Sequence, residues 1–255
     1  MPENPLFTII TVSFNNGNTI GQTIQSVLSQ SFRSFEYLVI DGGSTDDTLN
    51  LLGKLDGQIS WVSEADHGIY DAMNKGWKMA KGQWIAYLNA DDFYENNQVL
   101  ENLKNTLEMH PEAWALYGDL AYVSSKNTDK IIRYWKSGTY EPDFFLTGWM
   151  PPHPTFFIRK EAFEKFGGFR DLELFSAADY EFMLRMLYVN RLPAAYCPHL
   201  MVKMRTGGES NRTVKNRIRG NKEDQKAWKL NGITPGLFTF LLKPLRKIPQ
   251  YWERP

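Results

Sequence analysis

The feature that most constrains this chain is a regular alternation of β-rich and helix-periodic segments over residues 7–107. Each short segment rich in β-branched and aromatic side chains is followed by a stretch with apolar residues at helical spacing. Repeated strand–helix units predict an α/β protein with a mainly parallel, doubly wound sheet. The predicted strands cover residues 7–14, 36–40, 59–63 and 84–88, and the predicted helices cover residues 20–28, 49–55, 69–80 and 99–107.

Polar side chains gather where each of these predicted strands ends, in residues 13–16, 41–44, 64–66 and 89–92. Ligands of doubly wound sheets bind outside the carboxyl ends of the strands. We therefore expect these four segments to meet at one edge of the sheet and to form a binding site there.

Composition narrows the class of protein further. The 255 residues, 42% of them hydrophobic, suit one large domain or one domain with a small appendage. Cys197 is the single cysteine, which excludes an intrachain disulfide and favours a reducing compartment. The apolar run over residues 7–14 is too short for a signal peptide or a membrane-spanning helix, so we expect a cytoplasmic protein.

Three carboxylates, at the ends of two predicted strands, are candidates for ligand contacts. Asp91 and Asp92 follow the fourth predicted strand, where they suit Mg²⁺ or Mn²⁺ as oxygen ligands or, equally, cap the next helix. Asp41 ends the second strand and could accept a hydrogen bond from a nucleobase, or belong to an ordinary turn. No G-x-G-x-x-G motif follows the first strand, which disfavours a nicotinamide enzyme.

The second half of the chain offers a candidate base. Asp179 opens a predicted helix over residues 179–188, where it is either a general base or a simple helix cap. Glu181 is a weaker candidate because it points elsewhere on that helix. His153 lies between prolines in an aromatic loop over residues 137–154 and is either a binding residue or a structural one.

The neutral net charge conceals an acidic body and a basic tail. Residues 203–255 carry 13 Lys and Arg against 4 Asp and Glu, a net charge of +9, and the first 202 residues carry −9. A basic, apolar tail suits an anionic membrane surface, although its apolar residues could instead pack on the body. The tail residues concerned are Arg212, Lys215, Arg217, Arg219, Lys222, Phe238, Phe240, Leu241, Leu242, Lys243, Arg246, Lys247, Tyr251 and Trp252.

Five blocks, in order, resemble the inverting glycosyltransferases of family two, which have the A-type glycosyltransferase fold. The resemblance covers residues 5–205, and the third block is similar to members active in bacterial surface polysaccharide assembly. The blocks are Ile-Ile-Thr-Val-Ser-Phe-Asn over residues 9–15, Val-Ile-Asp-Gly-Gly-Ser-Thr-Asp-Asp-Thr over 39–48, residues 63–76, Asn-Ala-Asp-Asp over 89–92, and His-Pro-Thr-Phe-Phe over 153–157 with Gly-Gly-Phe over 167–169 and Ala-Asp-Tyr-Glu over 178–181.

The resemblance implies a role for each matching position. Asp179 would be the catalytic base, Trp149 and His153 would shape the acceptor pocket, and Asn89 and Asp91 would hold a divalent Mn²⁺ or Mg²⁺ cofactor. Donor contacts would come from Thr11, Ser13, Asn15, Asp41, Ser44, Asp66, Asn74, Lys75, Asn89, Asp91 and Asp92.

Three departures from the family pattern accompany these roles. Asn89 stands where the family has the first Asp of D-x-D, Gly42 replaces an Asp of the second block, and Ala178 replaces an acidic residue before the base. The expected organisation is a glycosyltransferase domain over 1–205, with a nucleotide-sugar half over 1–118 and an acceptor half over 119–205, and a helical basic extension over 206–255.

The reaction expected from the resemblance is transfer of a sugar from a nucleotide diphosphate, UDP for preference, with inversion. The acceptor would be a saccharide or a polyprenyl-pyrophosphate-linked saccharide, at the inner face of the plasma membrane, and nucleic acid is not an expected partner. Two other classes stay open: a sugar-phosphate nucleotidyltransferase, which would release pyrophosphate, and a non-catalytic saccharide-binding domain.

Overall fold

The computed structural model describes residues 2–170, 173–174, 176–207 and 214–254. Within these residues one nine-stranded sheet runs through the molecule in the order β3-β2-β1-β4-β8-β6-β9-β5, with β7 paired to β6. The strands are β1 Phe7–Ser13, β2 Phe35–Asp41, β3 Ser60–Ser63, β4 Trp84–Tyr87, β5 Phe93–Tyr94, β6 Ala115–Val123, β7 Ile131–Trp135, β8 Phe157–Arg159 and β9 Ala194–Arg205.

The first half of the sheet is parallel, as predicted. Strand β1 pairs in parallel with both β2 and β4, and β2 pairs in parallel with β3. Ser13 lies opposite Asp41, and Asp41 lies opposite Ser63, so three strands end at one level. The second half departs from this pattern, because β8 runs antiparallel to both β4 and β6.

Helices cover both faces of the sheet and bury two large apolar clusters, one on each side. Helix α3 packs directly on β1, where a Cβ atom at Gly76 would lie 2.7 Å from Ile10 Cγ2. The helices are α1 Ile20–Leu28, α2 Thr48–Gly53, α3 Ile69–Met79, α4 Val99–Met109, α5 Lys160–Phe166, α6 Ala178–Met183, α7 Val214–Leu230 and α8 Leu237–Leu245.

Two predictions for the second half need correction. The helix expected over 179–188 is α-helical only to Met183 and continues as a π-helix over Leu184–Val189. The loop expected over 137–154 contains 3₁₀ turns at Pro142–Thr147 and His153–Thr155. Backbone groups in that segment are hydrogen-bonded locally, which periodicity of apolar residues does not reveal.

The tail packs against the acceptor half through α7 and α8. Gly148 has a left-handed backbone, and a Cβ atom there would lie 2.6 Å from the Lys243 backbone nitrogen. Thr239 donates a 2.7 Å hydrogen bond to the Leu146 carbonyl, which fixes α8 beside the Pro142–Thr147 turn. Arg212 and the side chains of Lys215, Arg217, Arg219, Phe238 and Leu241 lie outside the described residues.

No helix in the described part of the chain is long and apolar enough to cross a membrane.

Candidate active site

The loops after β1 and β2 are joined by hydrogen bonds at the carboxyl edge of the sheet. Asn15 has a positive φ of 55°, and its backbone N–H donates to Ser44 Oγ at 2.8 Å. The Thr45 backbone N–H in turn donates to Asn15 Oδ1 at 2.8 Å. Asn tolerates the left-handed region better than most residues, so this position suits the required turn.

Asp41 shapes this loop from within. Its side chain is fully buried, and Oδ2 accepts hydrogen bonds from the Gly43 and Ser44 backbone N–H groups at 3.1 and 2.8 Å and from Ser63 Oγ at 2.7 Å. Oδ1 accepts from Ser44 Oγ at 2.5 Å. Both oxygens therefore already accept hydrogen bonds from the protein, as in an ordinary turn, and a contact with a nucleobase stays a prediction.

Thr11 and Ser13 are also turned inward. Thr11 is fully buried, and its hydroxyl is hydrogen-bonded to the Tyr37 hydroxyl at 2.9 Å inside the sheet layer. Ser13 is 6% exposed and its hydroxyl lies 3.5 Å from Asn16 Oδ1. The Thr11 hydroxyl faces the core, and the donor contact that the resemblance implies for Thr11 stays a prediction.

A charged cluster forms where the loop after β3 meets α3. The Lys75 ammonium group pairs with Asp66 and, at 2.9 Å, with Glu64 Oε1, and these contacts raise the pKa of Lys75. Burial raises the pKa of Asp66, and the pairing with Lys75 opposes that shift. A Cβ atom at Gly42 would lie 3.0 Å from Asp66 Oδ2, so Asp66 occupies the space left by the missing side chain at Gly42.

The turn over residues 89–92 places oxygen atoms in a buried setting. No donor among the described residues is hydrogen-bonded to Asn89 Oδ1 or to either carboxylate oxygen of Asp92, which is fully buried. Burial, and then the neighbouring Asp91 carboxylate, raise the pKa of Asp92 well above its ordinary value. Burial also raises the pKa of Asp91, an effect that the Arg205 guanidinium group partly opposes.

Arg205, at the end of β9, bridges this turn to the first helix. Its guanidinium group donates to the Asp91 carbonyl oxygen and to Gln22 Oε1. Sequence reasoning did not select Arg205, because its position beside the turn depends on the pairing of β9 with β5. Within the described residues, no three His, Cys, Asp or Glu side chains converge on a metal position, so any cation here would also need the Asn89 amide.

Asp179 is held by residues from two other elements. The Tyr70 hydroxyl, in the first turn of α3, donates to Asp179 Oδ1 at 3.0 Å. His153 Nδ1 lies 3.8 Å from Asp179 Oδ2, and burial lowers the pKa of His153 despite that carboxylate. Tyr70 lies inside the third sequence block but received no role from it, because only the tertiary structure brings it to Asp179.

The polar groups of two expected site residues are hydrogen-bonded within the fold. Asn74 holds the backbone of Phe169 with two 2.9 Å hydrogen bonds, donated by its Nδ2 and accepted by its Oδ1. Trp149 is 6% exposed, donates from Nε1 to the Ser137 carbonyl at 3.0 Å, and stacks on Tyr140. The roles of Asn74 at the donor and of Trp149 at the acceptor stay predictions.

Glu181, the weaker candidate base, is fully buried. Its carboxylate pairs with Arg185, with Nε and Oε1 2.9 Å apart, and with Arg170 at 3.4 Å. Asn231, which directly follows α7, donates a further hydrogen bond to it at 3.0 Å. These contacts tie α6 to the tail, and they leave Asp179 as the partly exposed carboxylate of this helix.

Solved structures share this arrangement of strands and helices. The Staphylococcus aureus protein TarS, residues 1–349 in complex with UDP-GlcNAc, aligns with a TM-score of 0.66 and 19% identity, over 88% of this chain and 65% of that one. The mannosyltransferase PcManGT of Pyrobaculum calidifontis, in complex with GDP-Man and Mn²⁺, aligns with a TM-score of 0.64 and 18% identity, over 97% and 70%. The fold is therefore that of the A-type glycosyltransferases, as predicted.

Sequence comparison defines the family. The profile described as Glycosyl transferase family 2 matches residues 8–167, and the chain belongs to this family of glycosyltransferases. It is 32% identical over 195 residues to an uncharacterized glycosyltransferase of Mycobacterium tuberculosis, covering 74% of this chain and 71% of that protein. It is 29% identical over 216 residues to a PGL/p-HBAD biosynthesis glycosyltransferase of Mycobacterium bovis, covering 82% and 81%.

A relative with a more specific name matches a shorter region. The Escherichia coli protein WfaP, a UDP-Glc:alpha-D-GlcNAc-diphosphoundecaprenol beta-1,3-glucosyltransferase, is 29% identical over 145 residues. The match covers 56% of this chain and 50% of WfaP, so the chain spans about half of that relative. The predicted enzyme class, a glycosyltransferase with relatives in polysaccharide and glycolipid biosynthesis, is confirmed by these matches.

Proposed function

We propose that this glycosyltransferase moves a sugar from a UDP-linked donor to a lipid-linked saccharide, with Asp179 as the general base. One observation carries the proposal: the hydrogen bond from Tyr70 links Asp179 to the start of α3, directly after the polar loop that ends β3. A carboxylate in this place lies beside the loops that would hold the donor. WfaP, a relative named for UDP-Glc, and TarS, a structural neighbour solved with UDP-GlcNAc, support UDP as the nucleotide of the donor.

The expected donor site centres on the charged residues beside the ends of β3 and β4. Asp66 and Lys75 stand at the loop after β3, with Lys75 able to reach a phosphate group, and Asp91 follows β4. Asn15, Asp41 and Ser44 would contribute by fixing the loops around the nucleoside. In this arrangement the first three residues would contact the donor, and the other three would hold the surrounding loops in place.

A site with one general base fits a single displacement, which inverts the configuration at the anomeric carbon. An acceptor hydroxyl attacks the anomeric carbon while the bond from that carbon to the phosphate oxygen breaks. The nucleoside diphosphate leaves with the bonding electron pair, and the hydroxyl proton passes to Asp179. General-base assistance of this kind contributes about 10²–10⁴-fold to the rate.

The residues after β4 fit a divalent cation. The unpaired oxygens of Asn89 and Asp92, together with the raised pKa values of Asp91 and Asp92, describe a buried oxygen-rich turn in which the Arg205 guanidinium group offsets only part of the effect of burial. Asn89 and Asp91 would hold Mn²⁺ or Mg²⁺, with Asp92 behind them, and PcManGT supports this because it was solved with Mn²⁺. When bound, the cation would neutralise charge on the leaving diphosphate.

We further propose that the enzyme works in the cytoplasm, at the inner face of the plasma membrane. WfaP, which acts on a diphosphoundecaprenol-linked sugar, supports an acceptor embedded in a bilayer. We name the C-terminal apolar surface as Leu245, Ile248, Tyr251 and Trp252, which are 54%, 48%, 53% and 74% exposed. Apolar and aromatic side chains next to basic residues suit contact with an anionic bilayer.

A donor panel tests the function. The purified protein is incubated with UDP-, GDP- and dTDP-sugars and a polyprenyl-pyrophosphate-linked sugar, with and without Mn²⁺, and the products are separated. We expect free UDP and an extended lipid-linked saccharide. A nucleotidyltransferase would leave these donors intact and would release pyrophosphate in a second reaction that supplies UTP and a sugar 1-phosphate, and binding without turnover of any donor would indicate a saccharide-binding protein.

A further inference from the structure

The carboxylate of Asp179 has two oxygens in different surroundings. Oδ1 accepts a 3.0 Å hydrogen bond from the Tyr70 hydroxyl, whereas Oδ2 lies 3.8 Å from His153 Nδ1, beyond hydrogen-bond distance. The Asp179 side chain is 26% exposed. One oxygen is therefore held by the protein, and the other can accept a proton from a bound acceptor.

The surroundings of Tyr70 keep its hydroxyl group protonated. Burial, followed by the charge of Asp179, raises the pKa of Tyr70 well above its ordinary value. Its ring stacks on Phe169, with centroids 5.8 Å apart, and its 8% exposure leaves it little freedom to turn away. Tyr70 is thus a neutral donor with a fixed direction at any pH at which the protein works.

The second oxygen faces a neutral imidazole. His153 stacks against Tyr87 and contacts Phe169 edge-on, and this aromatic surrounding disfavours its charged form. Its Nε2 atom is buried and has no hydrogen-bond partner among the described residues. Because the Nε2 atom lies in an apolar pocket without a hydrogen-bond partner, the neutral ring carries its N–H on Nδ1, towards Asp179.

Two charged groups in the described part of the tail pair with each other. Asp224 of α7 and Lys243 of α8 are 2.6 Å apart, and the Lys243 ammonium group lies 4.0 Å from the ring centroid of Tyr180. Among the residues that the structure describes, the titratable groups that face Asp179 are Tyr70 from α3 and His153 from the His153–Thr155 turn, with Tyr87 of β4 behind the imidazole.

We propose that Tyr70 is a positioning residue for this reaction: its hydroxyl fixes Oδ1 of Asp179 and leaves Oδ2, beside His153, as the oxygen that takes the acceptor proton. The inference rests on the proposed role of Asp179.

The test compares Tyr70→Phe with the wild type in kcat/KM for the acceptor between pH 5 and pH 9. A general base that is no longer held in place loses much of its contribution to the rate, so we expect kcat to fall about tenfold or more at every pH in this range. The KM for the nucleotide sugar should stay unchanged. The phenylalanine keeps the stacking on Phe169, and a thermal melt checks that the variant is folded.

Asp179→Asn, measured in parallel, separates the two proposals. If that variant transfers sugar at a near-normal rate, the base assignment fails. If it is inactive but Tyr70→Phe keeps the wild-type kcat, only the positioning role fails. Should Tyr70→Phe not fold, Phe169→Leu gives the second measurement: it removes the ring that stacks on Tyr70, so kcat should fall several-fold without a change in the donor KM, and an unchanged kcat would overturn the proposal.

Discussion

The indole Nε1–H group of Trp228 donates a 2.9 Å hydrogen bond to the hydroxyl of Tyr180, the neighbour of Asp179 on α6. Trp228 is fully buried although it belongs to the tail, so the tail forms part of the support of the candidate base. We expect Trp228→Phe to lower the free energy of unfolding by about 1–3 kcal/mol, because the ring shrinks and Tyr180 loses its partner.

Urea denaturation measures this change. Trp252→Phe is the matched control, since that side chain is 74% exposed and its replacement should change stability by no more than about 0.5 kcal/mol. Equal stability of the two variants would mean that the tail does not support α6.

Asp179→Asn should keep the fold and donor binding but lose transfer by about 10²–10⁴-fold, because the amide cannot accept the acceptor proton. Transfer is measured with a labelled donor under saturating conditions. Asp143→Asn, a change of equal charge at an exposed position, should retain the wild-type rate.

Nucleotide diphosphate binding should tighten with Mn²⁺ or Mg²⁺ and depend on Asp91. Calorimetric titration of UDP with metal, and then with a chelator, measures the difference, and Asp91→Asn should remove most of it. The reason is that the turn over residues 89–92 carries buried oxygens whose burial the Arg205 guanidinium group offsets only in part. The same affinity in metal and in chelator would exclude a metal-dependent donor site.

Replacing Leu245, Ile248 and Trp252 together by Ser should abolish flotation with anionic vesicles at low salt. These side chains are exposed, so the substitutions should leave the folded body intact. Each basic residue near such a surface adds about 1 kcal/mol, so binding by the wild type should weaken as salt rises. Met109→Ser, at an apolar position 69% exposed on α4, is the control that should float like the wild type. A wild type that stays unbound would refute the membrane proposal.

Glu181→Ala should destabilise the protein by about 3–5 kcal/mol, because it leaves the Arg185 guanidinium group buried without its carboxylate. Thermal or urea unfolding measures the loss. Glu164→Ala removes an exposed partner of Lys160 at 3.9 Å and should cost at most about 1 kcal/mol. Similar losses in the two variants would contradict a structural role for Glu181.

The sequence predicted the features that depend on neighbouring residues. Alternation of strand and helix patterns gave the parallel half of the sheet, and the ends of β1, β2 and β3 are level, as expected for a site at one edge. Such patterns are local, because side-chain periodicity records which face of an element is buried.

Contacts between distant segments could not be read in the same way. Tyr70 meets Asp179 across 109 positions, and Asn74 meets Phe169 across 95. Trp149 was assigned to the acceptor pocket from the family resemblance, and its neighbours in the fold come from the turn at Pro142–Thr147 and from β6. Whether a polar group faces a ligand or the fold depends on such tertiary partners, which one sequence does not reveal.

The pairing of β5 with β9 has a consequence for how the protein is made. The turn that carries Asp91 is completed by Arg205, which is synthesised 114 residues later. At about 5–20 residues per second, a ribosome needs roughly 6–20 seconds to cover that distance. Strands β1 to β4 can pair during this interval, but β5 must wait for its partner. A nascent chain would therefore gain its nucleoside loops well before it could gain a cation site.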